Sequence, residues 1–186
     1  DKAIEHYQTA IKLKQGSPAA HNNLGTIYSK YGRFDDAIKE YTKALKLKPD
    51  YAEAHNNLGN IYFKQQRFDE AIKEYITAIK LNPNDPDLYY NLALTYSKQG
   101  RFEDAIKEYI IAIDFKPDYV IAHYNLGNAY FALGRFDEAI REYLIAIKLQ
   151  PDFPEPHNDL GNVYANQGKY NEAIKEYMTV LRLNPD

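Results

Sequence analysis

Prolines at Pro49, Pro83, Pro117, Pro151 and Pro185 stand 34 residues apart, and that interval governs what the chain can fold into. A fixed period of about 20–50 residues means stacked supersecondary units, each touching its neighbours, in place of one centred globule. Other columns keep the same period. Leu24, Leu58, Leu92, Leu126 and Leu160 form one, and Tyr28, Tyr62, Tyr96, Tyr130 and Tyr164 another. Ala37, Ala71, Ala105, Ala139 and Ala173 form a third. His21, His55, His123 and His157 share a fourth, with Tyr89 in the remaining slot.

Within one period the pattern predicts two helices. In 52–85, Ala54, Leu58, Ile61, Tyr62 and Gln65 fall on one helical face. After a break at Gln66-Arg67, a second stripe runs through Phe68, Ala71, Ile72, Tyr75, Ala78, Ile79 and Leu81. Pro83 stops it, because proline lacks the N–H and clashes with the preceding turn. Gly32, Gly100, Gly134 and Gly168 mark the turn between the helices, where a left-handed residue is needed. Gln66 takes that slot in the second repeat, which predicts strain there or a different closure. Small residues (Gly25, Gly59, Ala93, Gly127, Gly161) recur where helices approach, and Tyr41, Tyr75, Tyr109, Tyr143 and Tyr177 fill the space between. Helices of about 13 residues are marginal alone in water, so stacking must supply the stability.

The residues Leu58, Gly59, Tyr62, Phe68, Ala71, Tyr75, Ala78 and Pro83 together resemble the tetratricopeptide repeat (TPR) family, and the resemblance extends over the whole chain. It implies an all-α fold, a right-handed superhelical solenoid of antiparallel helix pairs. The expected organisation is a single solenoid over 1–186, with a half repeat at 1–17 and repeats at 18–51, 52–85, 86–119, 120–153 and 154–186. The family's usual tryptophan early in the first helix is absent, and the histidine column or Tyr89 stands there. The opening Asp1-Lys2-Ala3-Ile4 matches the middle of a repeat, Asp35-Asp36-Ala37-Ile38, and reads as a piece of a longer protein. Localisation is therefore unassigned.

Several classes of function find no support. The net charge of −3 and the lack of a basic run give nucleic acid no electrostatic footprint. No apolar stretch is long enough to span a membrane. Without cysteine, thiolate metal sites and disulfides are impossible. The chain has no GxSxG elbow, phosphate-binding GxxxxGK[ST] or HExxH. No catalytic constellation is assigned, and no cofactor. Equivalent histidines on neighbouring helices sit about 8–10 Å apart, too far to share a zinc ion that needs each nitrogen at about 2 Å. These histidines therefore read as half-buried spacers, and no metal site is expected. His6 reads as a surface residue. The recurrent Lys39-Glu40, Lys73-Glu74, Lys107-Glu108, Arg141-Glu142 and Lys175-Glu176 read as solvated faces.

One polar column remains on the first helices, Asn23, Asn57, Asn91 and Asn125 ending in Asp159, and a second holds Asn60, Asn128 and Asn162. By the family resemblance this face lines a concave groove. An amide donates and accepts as a peptide main chain does, so such a ladder can grip an extended segment. The O-linked N-acetylglucosamine transferases carry a similar ladder in their TPR arrays. Two readings stand side by side: the amides hold a ligand, or they bond to neighbouring backbone. Phe63, Tyr90, Leu94, Ile121, Tyr124 and Phe131 are expected on the groove side, with Lys30, Lys64 and Lys98 as a basic rim and Glu155 and Asp159 making the last repeat acidic. Asn22, Asn56, Tyr90 and Asp87 stand where chaperone-binding relatives carry a cationic clamp, so recognition of a terminal carboxylate is not expected.

The functional expectation is a non-enzymatic scaffold that binds a peptide or protein segment in its groove. One alternative is a substrate-recognition array cut from a larger enzyme, such as a glycosyltransferase of the kind just named. Another is a structural module that self-assembles. Met178, Leu181 and Leu183 on the last helix are expected to be partly exposed and to favour weak end-to-end association.

Overall fold

The computed structural model describes residues 17–184, all of them helical or in short connections among the described residues. Ten helices follow in order: α1 (Pro18–Lys30), α2 (Phe34–Leu47), α3 (Ala52–Lys64), α4 (Phe68–Leu81), α5 (Pro86–Lys98), α6 (Phe102–Phe115), α7 (Val120–Ala132), α8 (Phe136–Leu149), α9 (Pro154–Asn166) and α10 (Tyr170–Leu183). Odd-numbered helices are the first, and even-numbered the second, of each expected pair. The lone helix expected over residues 1–14, and His6, lie outside the described residues. The chain divides inside α5 into two compact units, one up to Thr95 and one from Tyr96 on. In the first unit α1 packs on α2, α2 on α3, and α3 on α4. In the second, α6 to α10 pack in the same consecutive manner.

The sequence explains both ends of the helices. Ser17 caps α1 by accepting from the Ala20 N–H at 3.3 Å, and proline fills the first position of α1 and α9. Each turn into a second helix is closed the same way. The N–H of Arg33, Arg67, Arg101 and Arg135 donates to the carbonyl of Tyr28, Tyr62, Tyr96 and Tyr130 respectively, each at 2.9 Å. The guanidinium then lies over the same tyrosine ring, 4.3–4.5 Å from its centre. It also pairs with the acid three residues on: Asp36, Glu70, Asp104 and Glu138. The left-handed residue of this turn is glycine at φ 71–74° in four repeats and Gln66 at φ 60° in the second. The strained alternative is thus the one realised.

The core is built on the tyrosine column. Tyr41, Tyr75, Tyr109 and Tyr143 are almost wholly buried. Gly127 faces Tyr143 so closely that a Cβ there would lie 2.6 Å from the ring. Small residues on the first helix and a large ring on the second therefore form one complementary pair. The ring's hydroxyl continues past the contact and emerges among the polar residues of the first helix.

Candidate functional site

The tyrosine hydroxyls end on the second polar column. Tyr75, Tyr143 and Tyr177 donate to Oδ1 of Asn60, Asn128 and Asn162 at 2.7, 2.7 and 2.9 Å. In the first pair Thr26 takes the asparagine's place and accepts from Tyr41 at 3.2 Å. Each such bond contributes about 1 kcal/mol net and fixes the amide's orientation. Burial raises the pKa of Tyr75 and Tyr143 far above that of a free phenol, so the hydroxyls remain donors.

Within the first unit, the first polar column is linked from pair to pair through side chains. Asn57 Nδ2 donates to Asn22 Oδ1 at 3.0 Å, and Asn91 Nδ2 to Asn56 Oδ1 at 3.1 Å. Asn22 is fully buried and passes the chain on by donating to Glu53 at 2.9 Å. Asn22 and Asn56 carry no role in the sequence reading beyond lacking charge. Their signal was a second polar residue directly before each ladder position. Asn23 is exposed, while Asn57, Asn91 and Asn125 are half-buried. The last rung reverses the polarity: Tyr124 donates to Asp159 Oδ2 at 2.8 Å, and Asn158 and Asn162 donate to its Oδ1 at 3.1 and 3.3 Å. Burial, with Asp159 and Glu155 nearby, pushes the Tyr124 phenol up to about 12. Tyr124, Glu155, Asn158, Asp159 and Val180 line a cavity of about 210 Å³.

The expected apolar residues divide between the two units. In the first, Phe63, Tyr90 and Leu94 are half-buried, and Phe63 packs on Phe68 with ring centres 5.8 Å apart. In the second, Ile121, Tyr124 and Phe131 are half-buried, Tyr124 meets Phe153 edge-on at 5.3 Å, and Phe131 lies 5.6 Å from Phe136. Lys30, Lys64 and Lys98 are exposed, with the Lys64 ammonium 5.9 Å from the Phe34 ring.

The histidine column differs from its expected role. His21, His123 and His157 are buried, and each histidine meets the glutamate of a recurrent Lys/Arg-Glu step. Nδ1 of His21, His55, His123 and His157 lies 2.6–2.7 Å from Glu40, Glu74, Glu142 and Glu176. Those dipeptides are therefore not solvated faces. The basic residue points outward and the glutamate inward, because adjacent helical positions diverge by about 100°. Nε2 of His55 and His123 also meets the carbonyl of Pro49 and Pro117, and Tyr89 donates to the equivalent Pro83 carbonyl at 2.9 Å. Among the described residues no cluster of three or more His, Asp and Glu is arranged to hold a metal ion, and no helix is long and apolar enough to cross a membrane.

Comparison with known proteins bears on this arrangement. A family profile described as TPR repeat matches residues 1–32, 27–66, 59–100, 95–134 and 127–168, and one described as tetratricopeptide repeat matches 154–186. The chain belongs to the TPR family. No curated protein sequence matches it significantly. Among solved structures, this TPR chain is similar to MamA at 29% identity, over 86% of its own length and 94% of that chain, with a TM-score of 0.83. It shares its fold with YrrB at 21% identity, over 98% and 94% of the two chains, TM-score 0.83. MamA from Desulfovibrio magneticus RS-1 has the same fold at 18% identity, over 89% and 94%, TM-score 0.85. The TPR architecture is that of a helical solenoid used as a protein-interaction scaffold.

Proposed function

We propose that this chain is a non-enzymatic scaffold whose first helices hold an extended peptide segment, and that residues 18–186 serve as five repeats of one array behind a half repeat at 1–17. One observation carries the reading. The amides of Asn57 and Asn91 each spend one N–H on a neighbouring side chain. That bond fixes the amide plane and leaves the Oδ1 carbonyl and the second N–H for a ligand. An oriented amide offers a peptide main chain a donor and an acceptor with little entropy left to lose. The half-buried rings of Phe63, Tyr90, Tyr124 and Phe131 supply apolar contacts for side chains. YrrB, described as a TPR protein with an unusual peptide-binding site, supports the reading at the level of architecture.

Peptide display on the wild type and on a variant with Asn57, Asn91 and Asn125 changed to alanine tests the proposal. Hits that survive on the variant remove the ladder from recognition. The lysine rim adds a preference for acidic residues over the early repeats. Lys64→Glu with Lys98→Glu weakens such peptides, and an unchanged dissociation constant discards that preference.

A further inference from the structure

The outward register of the second helices is a second surface, independent of the asparagine face. In the second unit, Ile110 of α6, Leu144 of α8 and Met178 of α10 share one register position, and all three are exposed, by 40, 46 and 64%. Ile145 beside Leu144 is exposed as well. The repeat supplies its own control. At the same two positions α6 carries Ile110 and Ile111 and α8 carries Leu144 and Ile145, whereas α2 carries Thr42 and Lys43, and α4 and α10 hold one apolar residue beside a threonine, Ile76-Thr77 and Met178-Thr179. Equivalent positions face equivalent packing demands. An apolar pair is therefore not required by the fold, and the pairs on α6 and α8 call for a partner.

The charges around this row are arranged in rails. Arg141 and Lys148 stand one turn before and one turn after Leu144, and Lys175 and Arg182 flank Met178 likewise. Asp114 departs from the pattern on α6. None of these four cations makes an ion pair among the described residues, whereas Arg101 and Arg135 at the turns do. Seven residues of helix separate the two rails on α8, which is about 10 Å. A covering α-helix is about 10–12 Å across with its side chains. The backbones of the first helices α7 and α9 approach one another closely, whereas those of the second helices of this unit stay farther apart. The outer face is therefore the wider one, open to an element lying across it.

We propose that the outer face of α6, α8 and α10 docks an amphipathic helix of a partner protein, one with an apolar stripe and acidic shoulders. The stripe covers Ile110, Leu144, Ile145 and Met178. The shoulders meet Arg141 and Lys175 on one side, and Lys148 and Arg182 on the other. A bilayer fits less well. The row holds no aromatic residue of the kind that anchors a segment at a lipid interface.

The test uses a displayed library of amphipathic helices of about 20 residues, with glutamate, glutamine or lysine at the shoulder positions, selected on the whole chain. Glutamate should be enriched. The best peptide should bind Leu144→Ser/Ile145→Ser about ten-fold more weakly or worse, and equally well to Asn57→Ala/Asn91→Ala. Selection on Arg141→Glu/Lys148→Glu should enrich lysine instead. All the outer-face positions are exposed, so circular dichroism should show these variants folded. The proposal falls if no helix is selected, if the shoulders show no charge preference, or if the Leu144 variant binds unchanged. It falls equally if the Leu144 variant loses binding to phosphatidylcholine–phosphatidylserine vesicles, which would make the face a lipid site. Self-association that depends on Leu144 would assign the face to a second copy and also overturn it.

Discussion

His123 and Glu142 are locked together at 2.7 Å across two helices, and the other ring nitrogen of His123 meets the Pro117 carbonyl at 3.0 Å. Both nitrogens face acceptors, which only the imidazolium satisfies with two donors. Burial lowers the histidine's pKa. The Glu142 bond, the Pro117 carbonyl and the Glu142 charge together outweigh that and raise it.

A raised folded pKa fixes the sign of the pH dependence. The stabilisation is fully present below about pH 6.5, the ordinary histidine value, and is lost as pH rises through the higher folded value. Thermal melts of the wild type and His123→Gln across this range should show a gap that is widest in acid and narrows toward alkali. A gap that does not change with pH would remove the proton from the account.

Gln66 occupies a left-handed backbone position that glycine fills in the other turns. A side chain there costs about 1 kcal/mol or somewhat more. Gln66→Gly should therefore raise the melting temperature by a few degrees, although glycine loosens the unfolded chain. A lower melting point would mean that the Gln66 side chain makes a compensating contact.

Gly127→Ala should act in the opposite direction. The added methyl would sit 2.6 Å from the Tyr143 ring, which is buried and bonded to Asn128. Overpacking of this kind costs about 1–3 kcal/mol. Urea unfolding would measure it, and a loss below about 0.5 kcal/mol would show that the helices separate more easily than the packing implies.

Neighbouring asparagines should behave differently. Asn22→Ala leaves Asn57 without its acceptor and removes the donor to Glu53 Oε1, with Tyr51 still donating to the other carboxylate oxygen, at a cost of about 1–3 kcal/mol. Asn23→Ala, on an exposed side chain, should stay within about 0.5 kcal/mol. Equal losses for the two would contradict the linked-amide description.

The helices and turns were legible because each repeat restates them, and even the strained turn at Gln66 could be read as an exception in a column. The histidine–glutamate pairs were not. Their members lie 19 residues apart on different helices, and periodicity shows that two columns recur without showing which columns meet. The dipeptide Arg141-Glu142 looked solvated because its two charges sit together in sequence, whereas the helix turns them about 100° apart, one outward and one inward. The same blindness hid Asn22 and Asn56, whose partners are set by how one pair stacks on the next. Asp159 departed visibly from the asparagine column, but its reason, the Tyr124 hydroxyl, is a contact between helices.

The bonds from Tyr75, Tyr143 and Tyr177 to the asparagines opposite them give the molecule an optical consequence. The chain has 18 tyrosines and no tryptophan, so its near-ultraviolet spectrum comes from phenols undimmed by indole. Anything that turns the amide of Asn60 or Asn128 would change the hydrogen bond on a ring sealed in the interior. Occupancy of the outside could then be followed, label-free, as a spectral shift from within.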